Sequence, residues 1–255
     1  MLWKELKTAA KEKLRGNWGW GALTVLLLGV ASNIMVFVGY MLFTVALILT
    51  LLILKPVNDG SYAILGIFIL ILFPIFLFTL VYVQLFLLTG MQAATYDLVN
   101  GKKTDNVFAA TFSQFIHHRG WRSFKTWLLS TVFNILWFLL FFIPGWIKTL
   151  AYSQSLYIIQ DAIDNGTPMT AREAITLSRK VMDGHKWELL GLMLSFFGWF
   201  ILSIITYGIG FFWTLPYMFT TMAEYHKYVM ADYNKQHQTG LTNAQVHTTA
   251  SFSVK

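Results

Sequence analysis

The chain reads as an all-α, polytopic membrane helical bundle, and three observations predict it. Apolar residues make up 56% of the sequence and charged ones 12%, with a mean hydropathy of +0.57. That is too little charge to coat a globule and too much hydrocarbon to hide inside one. The apolar residues fall in uninterrupted runs, long enough to cross a bilayer at about 20 residues per span. The 19 basic residues are gathered between those runs rather than spread through them.

The runs cover residues 18–54, 61–89, 124–143, 145–163, 187–207 and 209–229. The last four fit one crossing each, separated by the turn signals Pro144-Gly145 and Gly208-Ile209-Gly210 and by the polar stretch Asp164 to Lys186. The first is long enough for two crossings, and charge arbitrates, because cytoplasmic loops retain Lys and Arg. If it crosses once, six spans leave 17 basic residues inside and 2, Lys55 and Lys148, outside. Both termini are then cytoplasmic, and the turn around Lys55 to Ser61 is external. The two long runs exceed a hydrocarbon core of about 30 Å, so they tilt or project outward as a hairpin. Residues 1–230 form one membrane domain under this reading, and 231–255 form a polar, flexible cytoplasmic tail.

Three spans are preceded by short helical patterns. Before the first, Trp3, Leu6, Ala10 and Leu14 recur at spacings of three and four among lysines, a basic amphipathic helix suited to a membrane surface. Before the third, Phe108, Phe112, Phe115 and Ile116 form a stripe with a cap expected at Thr104 or Asp105. Before the fifth, Thr170 and Glu173 have the spacing of a capping box. The endings are RGNW, HHRGW and GHKW. A left-handed glycine stops each helix, cations suit its C-terminus and anionic headgroups, and Trp18, Trp121 and Trp187 anchor the interface. On this pattern Lys4, Lys7, Lys11, Lys13, Arg15, Arg119, Arg122 and Lys186 are the candidate headgroup ligands. The punctuation suggests a threefold parallel repeat of surface helix and hairpin. Convergence of unrelated cytoplasmic loops on the same signals is the open alternative.

The segments LKTAAKEKLRGNW, PGWIKTLAYSQSLY, REAITLSRKVMDGHKW, FFGWF and GIGFFWTLPY together resemble the membrane-protein family called domain of unknown function 975. Two turns depart from its pattern, Trp146 after Pro144-Gly145 and Asn165-Gly166 in place of an Asn-Pro turn. The resemblance implies a bacterial cytoplasmic membrane and carries no established activity or catalytic residues.

The sequence offers no constellation for chemistry. HExxH, GxSxG and phosphate-cradling glycine loops are missing, and with no cysteine there is neither thiolate chemistry nor a disulfide framework. The six histidines read as loop or terminal residues, so no metal site is expected. Within the spans the polar residues Ser153, Gln154, Tyr157 and Gln160 share roughly one helix face, which marks either interhelical hydrogen bonding or a substrate path. The expectation is a non-enzymatic protein without cofactors that engages membrane lipids, preferentially anionic, and other membrane proteins, but no nucleic acid. A small transporter or lipid flippase with a cavity between hairpins is the alternative.

Overall fold

A computed structural model describes residues 2–54, 59–114 and 119–252. The elements are α1 (Leu2–Leu14), α2 (Trp18–Leu54), α3 (Asp59–Val99), α4 (Val107–Phe112), α5 (Arg119–Leu140), α6 (Phe142–Tyr152), α7 (Ser155–Asp164), α8 (Ala171–Val181), α9 (Lys186–Leu194), α10 (Phe197–Ile205) and α11 (Phe211–Phe252). Among the described residues there is no strand. Four stretches are long and apolar enough to cross a membrane: Trp18–Thr50, Phe73–Val99, Gly120–Leu140 and Lys186–Ile205.

The segments expected as fourth and fifth spans are each broken. The first divides into α6 and α7 at Ser153-Gln154, the second into α9 and α10 at Ser195-Phe196. The cause is the same at both places. Ser153 Oγ donates to Leu150 O at 2.8 Å, and Ser195 Oγ donates to Leu192 O. A hydroxyl that takes the carbonyl three residues back competes with the helical ladder and favours a bend, and at both places the backbone N–H also turns to a carbonyl three residues back, Ser153 N to Leu150 O and Phe196 N to Met193 O. Ser113 closes α4 in the same way, through Ala110 O at 2.9 Å.

The buried core lies at one end of the long helices. It gathers Leu6, Ala10 and Leu14 of α1 with Trp20 at the start of α2, Tyr96 and Val99 at the end of α3, Leu189 and Leu192 of α9, and Ala223, Tyr225 and Val229 of α11. Beyond this level the same helices are apolar and bare. Phe37 is 63% exposed, Leu139 83% and Ile204 68%. Apolar exposure on this scale belongs to a surface that meets hydrocarbon rather than water.

At 1.5 Å per residue, α2 is about 55 Å long, well beyond the roughly 30 Å of a hydrocarbon core. It is braced along its exposed length by α3. A side chain on Gly39 would meet Leu80 Cδ2 at 3.0 Å, Phe43 stacks on Phe76 with centroids 4.6 Å apart, and Gln84 Nε2 donates to Ser32 O at 3.1 Å. Small residues that let backbones approach, together with isolated polar bonds, are the means by which helices associate in lipid. The turn expected around Lys55 to Ser61 falls largely outside the described residues.

The short helix α1 departs from its expected role at a membrane surface. Its stripe of Leu6, Ala10 and Leu14 is buried in the protein's own core, mainly against α11. Alanine at the middle of the stripe allows the close approach. Trp3 Nε1 reaches Glu188 O at 3.1 Å, and the Trp3 ring covers Gly191, where an added Cβ would lie 2.2 Å from Cζ2.

The glycine stops hold at two of the three expected places. Gly16 and Gly184 have φ of 78° and 82°, in the left-handed region that a side chain disfavours. Gly120 instead lies inside α5, so the third junction is not built like the others. Phe115, Ile116, His117 and His118 lie outside the described residues, and α4 before them spans only six residues. Its cap is Asn106, whose side chain accepts from Ala109 N at 3.2 Å, rather than Thr104 or Asp105. The capping box before α8 forms as expected: Thr170 N donates to Glu173 Oε2 at 2.7 Å, and Glu173 N to Thr170 Oγ1 at 3.3 Å.

Lys148, read from the sequence as lying near the outer end of a span, is packed beside α8. Ser178 of α8 donates to Ala151 O at 2.7 Å and accepts from Gln154 N at 3.2 Å. These bonds lay α8 against the break between α6 and α7. Lys148 is thereby brought beside Arg179, Lys180 and Lys186 around one cavity.

Candidate functional site

The polar face read from the sequence becomes a buried cluster that joins three helices. Gln154 and Gln160 are 1% and 0% exposed, and Tyr157 is also buried. The residue that draws them together is His226 of α11, 2% exposed, which corrects the expectation that every histidine is a loop or terminal residue. Its Nε2 lies 2.8 Å from Asp161 Oδ2 and its Nδ1 lies 3.2 Å from Gln154 Oε1. An amide oxygen only accepts, so Nδ1 carries a proton in this arrangement. The ring stacks on Tyr157 at 5.0 Å and an interplanar angle of 21°. Tyr96 of α3 donates its hydroxyl to the other carboxylate oxygen, Asp161 Oδ1.

Each position follows from local structure. The break at Ser153-Gln154 starts α7 afresh, and from there Gln154, Tyr157 and Asp161 follow at helical spacing. Ser153 spends its own donor on the break, and it accepts from Gln154 Nε2 at 3.1 Å. Further along α7, Gln160 Nε2 donates to Gln114 Oε1 at 2.9 Å, with Gln114 Nε2 and Gln160 Oε1 unpaired beside it. His185 forms a second hub, with Glu188 Oε2 2.7 Å from Nδ1 and Asp232 Oδ2 3.2 Å from Nε2. Tyr225 donates to His185 O at 3.0 Å.

The imidazole–carboxylate pair is fully engaged by Gln154, Tyr157 and Tyr96. Among the described residues no group of three or more His, Cys, Asp or Glu side chains is placed to hold a metal ion.

The candidate headgroup ligands divide by their surroundings. Lys7 is engaged within the protein, its Nζ 3.2 Å from Ser195 O and 4.5 Å from the centroid of Phe196. Partial burial, and then the neighbouring Lys11 charge, lower its pKa. Lys11 lies over Tyr217 at 5.5 Å with its side chain still exposed. Lys4, Lys13 and Arg15 are exposed. Arg122 Nη2 donates to Thr167 O at 3.2 Å and Met169 O at 3.0 Å, tying α5 to the loop before α8. Arg119 begins α5, and Lys186 pairs with Asp183 at 3.2 Å. Of the expected anchors, Trp121 and Trp187 are 64% and 78% exposed, while Trp18 is half-buried against Tyr217.

Two apolar grooves open on the bare helix surfaces. One, of about 310 Å³, lies between α2, α3 and α11 and is lined by Leu28, Gly29, Leu88 and Leu215 among others. The other, of about 260 Å³, lies between α3 and α5, lined by Phe86, Trp127 and Ile135 among others. No curated protein and no solved structure matches the chain. Residues 138–232 match the family model described as Protein of unknown function (DUF975), and with them the seam on α7, both imidazole hubs and the α6 to α10 breaks. Over those residues the chain is similar to this family.

Proposed function

We propose that the chain is a non-enzymatic, six-span protein of the bacterial cell membrane, with both termini cytoplasmic. Its basic surface binds anionic lipid, and its bare flanks receive lipid or partner membrane proteins. The observation that carries this reading is the contrast along α2, α3, α5 and α10. α2 and α3 are packed into the core at one end and are apolar and exposed along much of the rest, and α5 and α10 expose apolar side chains such as Leu139 and Ile204. The exposed Lys4, Lys11, Lys13 and Arg15 border the packed end. Placing that end at the cytoplasmic leaflet gives the basic residues the side they favour.

The cavities favour lipid contact over the transporter reading. The grooves at α2/α3/α11 and α3/α5 are lined almost wholly by apolar side chains and open onto the exposed helix surface. The polar seam is buried, and Gln154, Asp161 and His226 are hydrogen-bonded to one another. The test is lipid analysis of the full chain purified from a membrane containing phosphatidylglycerol and phosphatidylethanolamine. Enrichment of phosphatidylglycerol over the bulk ratio is expected, and its reduction in a Lys4→Gln, Lys11→Gln, Lys13→Gln variant. Bulk composition around the wild-type protein would overturn the reading.

A further inference from the structure

We infer that the cavity between α6, α8 and α9 is a binding site for a phosphate group, supplied by a lipid headgroup. The inference rests on the membrane reading above and names a site outside α1. The cavity, about 330 Å³, is lined by Lys148 from α6, Arg179 and Lys180 from the last turn of α8, and Lys186 from the first turn of α9. One carboxylate lines it, Asp183, and that is bonded to Lys186 at 3.2 Å. Among the described residues Lys148, Arg179 and Lys180 have no ion-pair partner, so three positive charges converge on one void.

Cations in the last turn of a helix are favoured by its exposed carbonyls, which accounts for Arg179 and Lys180. Lys148 lies over the Trp137 ring, its Nζ 4.7 Å from the centroid, a contact that holds the cation without neutralising it. That side chain arrives on a different helix, held in place by the Ser178 bonds to Ala151 and Gln154. It sits where Arg179 and Lys186 repel its charge. Like charges brought together by a rigid scaffold, with a void between them, are matched by a multivalent anion whose oxygens accept from several donors at once. The mouth of the cavity adjoins Ile147, and on the same helix Ile143 and Trp146 are also exposed. An anion that carries acyl chains finds its headgroup partners and its apolar surface side by side there. A free phosphate finds the first without the second.

The test uses the full chain in nanodiscs, with phosphatidylcholine or phosphatidylglycerol as the probe lipid and inorganic phosphate as the soluble probe. The Lys148→Gln, Arg179→Gln variant is expected to retain phosphatidylglycerol about 25-fold less well than wild type, about fivefold for each cation removed. Phosphatidylcholine retention is expected to stay unchanged. If the double variant does not fold, Lys180→Gln at an exposed position provides the same readout at about fivefold. Equal retention by wild type and variant, with no effect of inorganic phosphate on either, overturns the inference. A loss confined to the α1 variant also overturns it while leaving the membrane reading intact. If wild type shows no preference for phosphatidylglycerol, the membrane reading fails. The phosphate site then stands only if inorganic phosphate raises the unfolding temperature of wild type and not of the double variant, which identifies a soluble source.

Discussion

Replacing His226 with Ala tests whether the buried cluster holds α3, α7 and α11 together. The change removes a hydrogen bond to a carboxylate, worth about 1.5 kcal/mol at the low end because the Asp161 side chain is 33% exposed and regains water. It strands Gln154 Oε1, which is buried on a residue 1% exposed, at about 1 to 3 kcal/mol. It also removes the ring stacked on Tyr157 at 5.0 Å, worth about 0.5 to 1.5 kcal/mol. The expected loss is therefore about 3 to 6 kcal/mol, a large share of a typical folding stability. Reversible unfolding in mixed micelles of dodecyl sulfate and dodecyl maltoside measures it. A double-mutant cycle with Asp161→Ala should return a coupling of about 1 kcal/mol or more. The matched control is His185→Ala. Its partners Glu188 and Asp232 are 39% and 35% exposed and can rehydrate, so about 1 kcal/mol is expected. A His226→Ala loss no larger than that of His185→Ala, with no coupling to Asp161, would refute the argument.

Three further outcomes are expected. Gly145→Ala places a Cβ 2.7 Å from the Phe138 ring and 3.1 Å from its Cα, so the α5–α6 hairpin should lose about 1 to 3 kcal/mol; Gly198→Ala in α10 meets nothing within 4 Å and should be neutral or stabilising, and equal effects would sink the packing argument. Glu173 is held below the usual carboxylate range, first by the Thr170 N–H and then by its hydroxyl. A depressed folded value means that the stabilisation is present above the ordinary value of 4.5 and is lost as pH falls through the folded value; loosening of α8 on acidification should therefore vanish in Glu173→Gln, whose side chain does not titrate, as hydrogen exchange of α8 would show. Because the chain has no cysteine, single substitutions give a clean topology map. Arg179→Cys should label from the same side as Lys103→Cys, and opposite to Asn58→Cys; labelling of Lys103→Cys with Asn58→Cys would contradict the six-span reading.

The helical class, the four long apolar stretches and the capping box at Thr170 were legible because each is a local signal. Composition counts residues, hydropathy averages a window, and a cap reads three positions ahead. The breaks at Ser153 and Ser195 escaped the same method. A serine inside an apolar window hardly lowers its mean, yet its hydroxyl can take a carbonyl from the ladder. The α1 stripe was visible, but its partner was not. Leu6, Ala10 and Leu14 present the same pattern to a lipid surface and to α11, and periodicity does not say which of the two covers them.

The site was half legible for a related reason. Ser153, Gln154, Tyr157 and Gln160 stand out as polar residues in an apolar run, whereas His226 lies in Glu224-Tyr225-His226-Lys227, where hydrophilic neighbours disguise a buried side chain. A polar residue among apolar ones announces that it needs a partner. A polar residue among polar ones does not, and only the long-range packing of α7 on α3 and α11 shows that it is the partner. Lys148 is the converse case. Its place next to Pro144-Gly145 pointed to an outer loop, by the rule that a turn between two apolar runs crosses to the far side. That rule assumes that each run is one straight helix. Once Ser153 divides the run, α8 can lie against the break and bring Arg179 alongside Lys148, a neighbour that the turn before Lys148 does not announce.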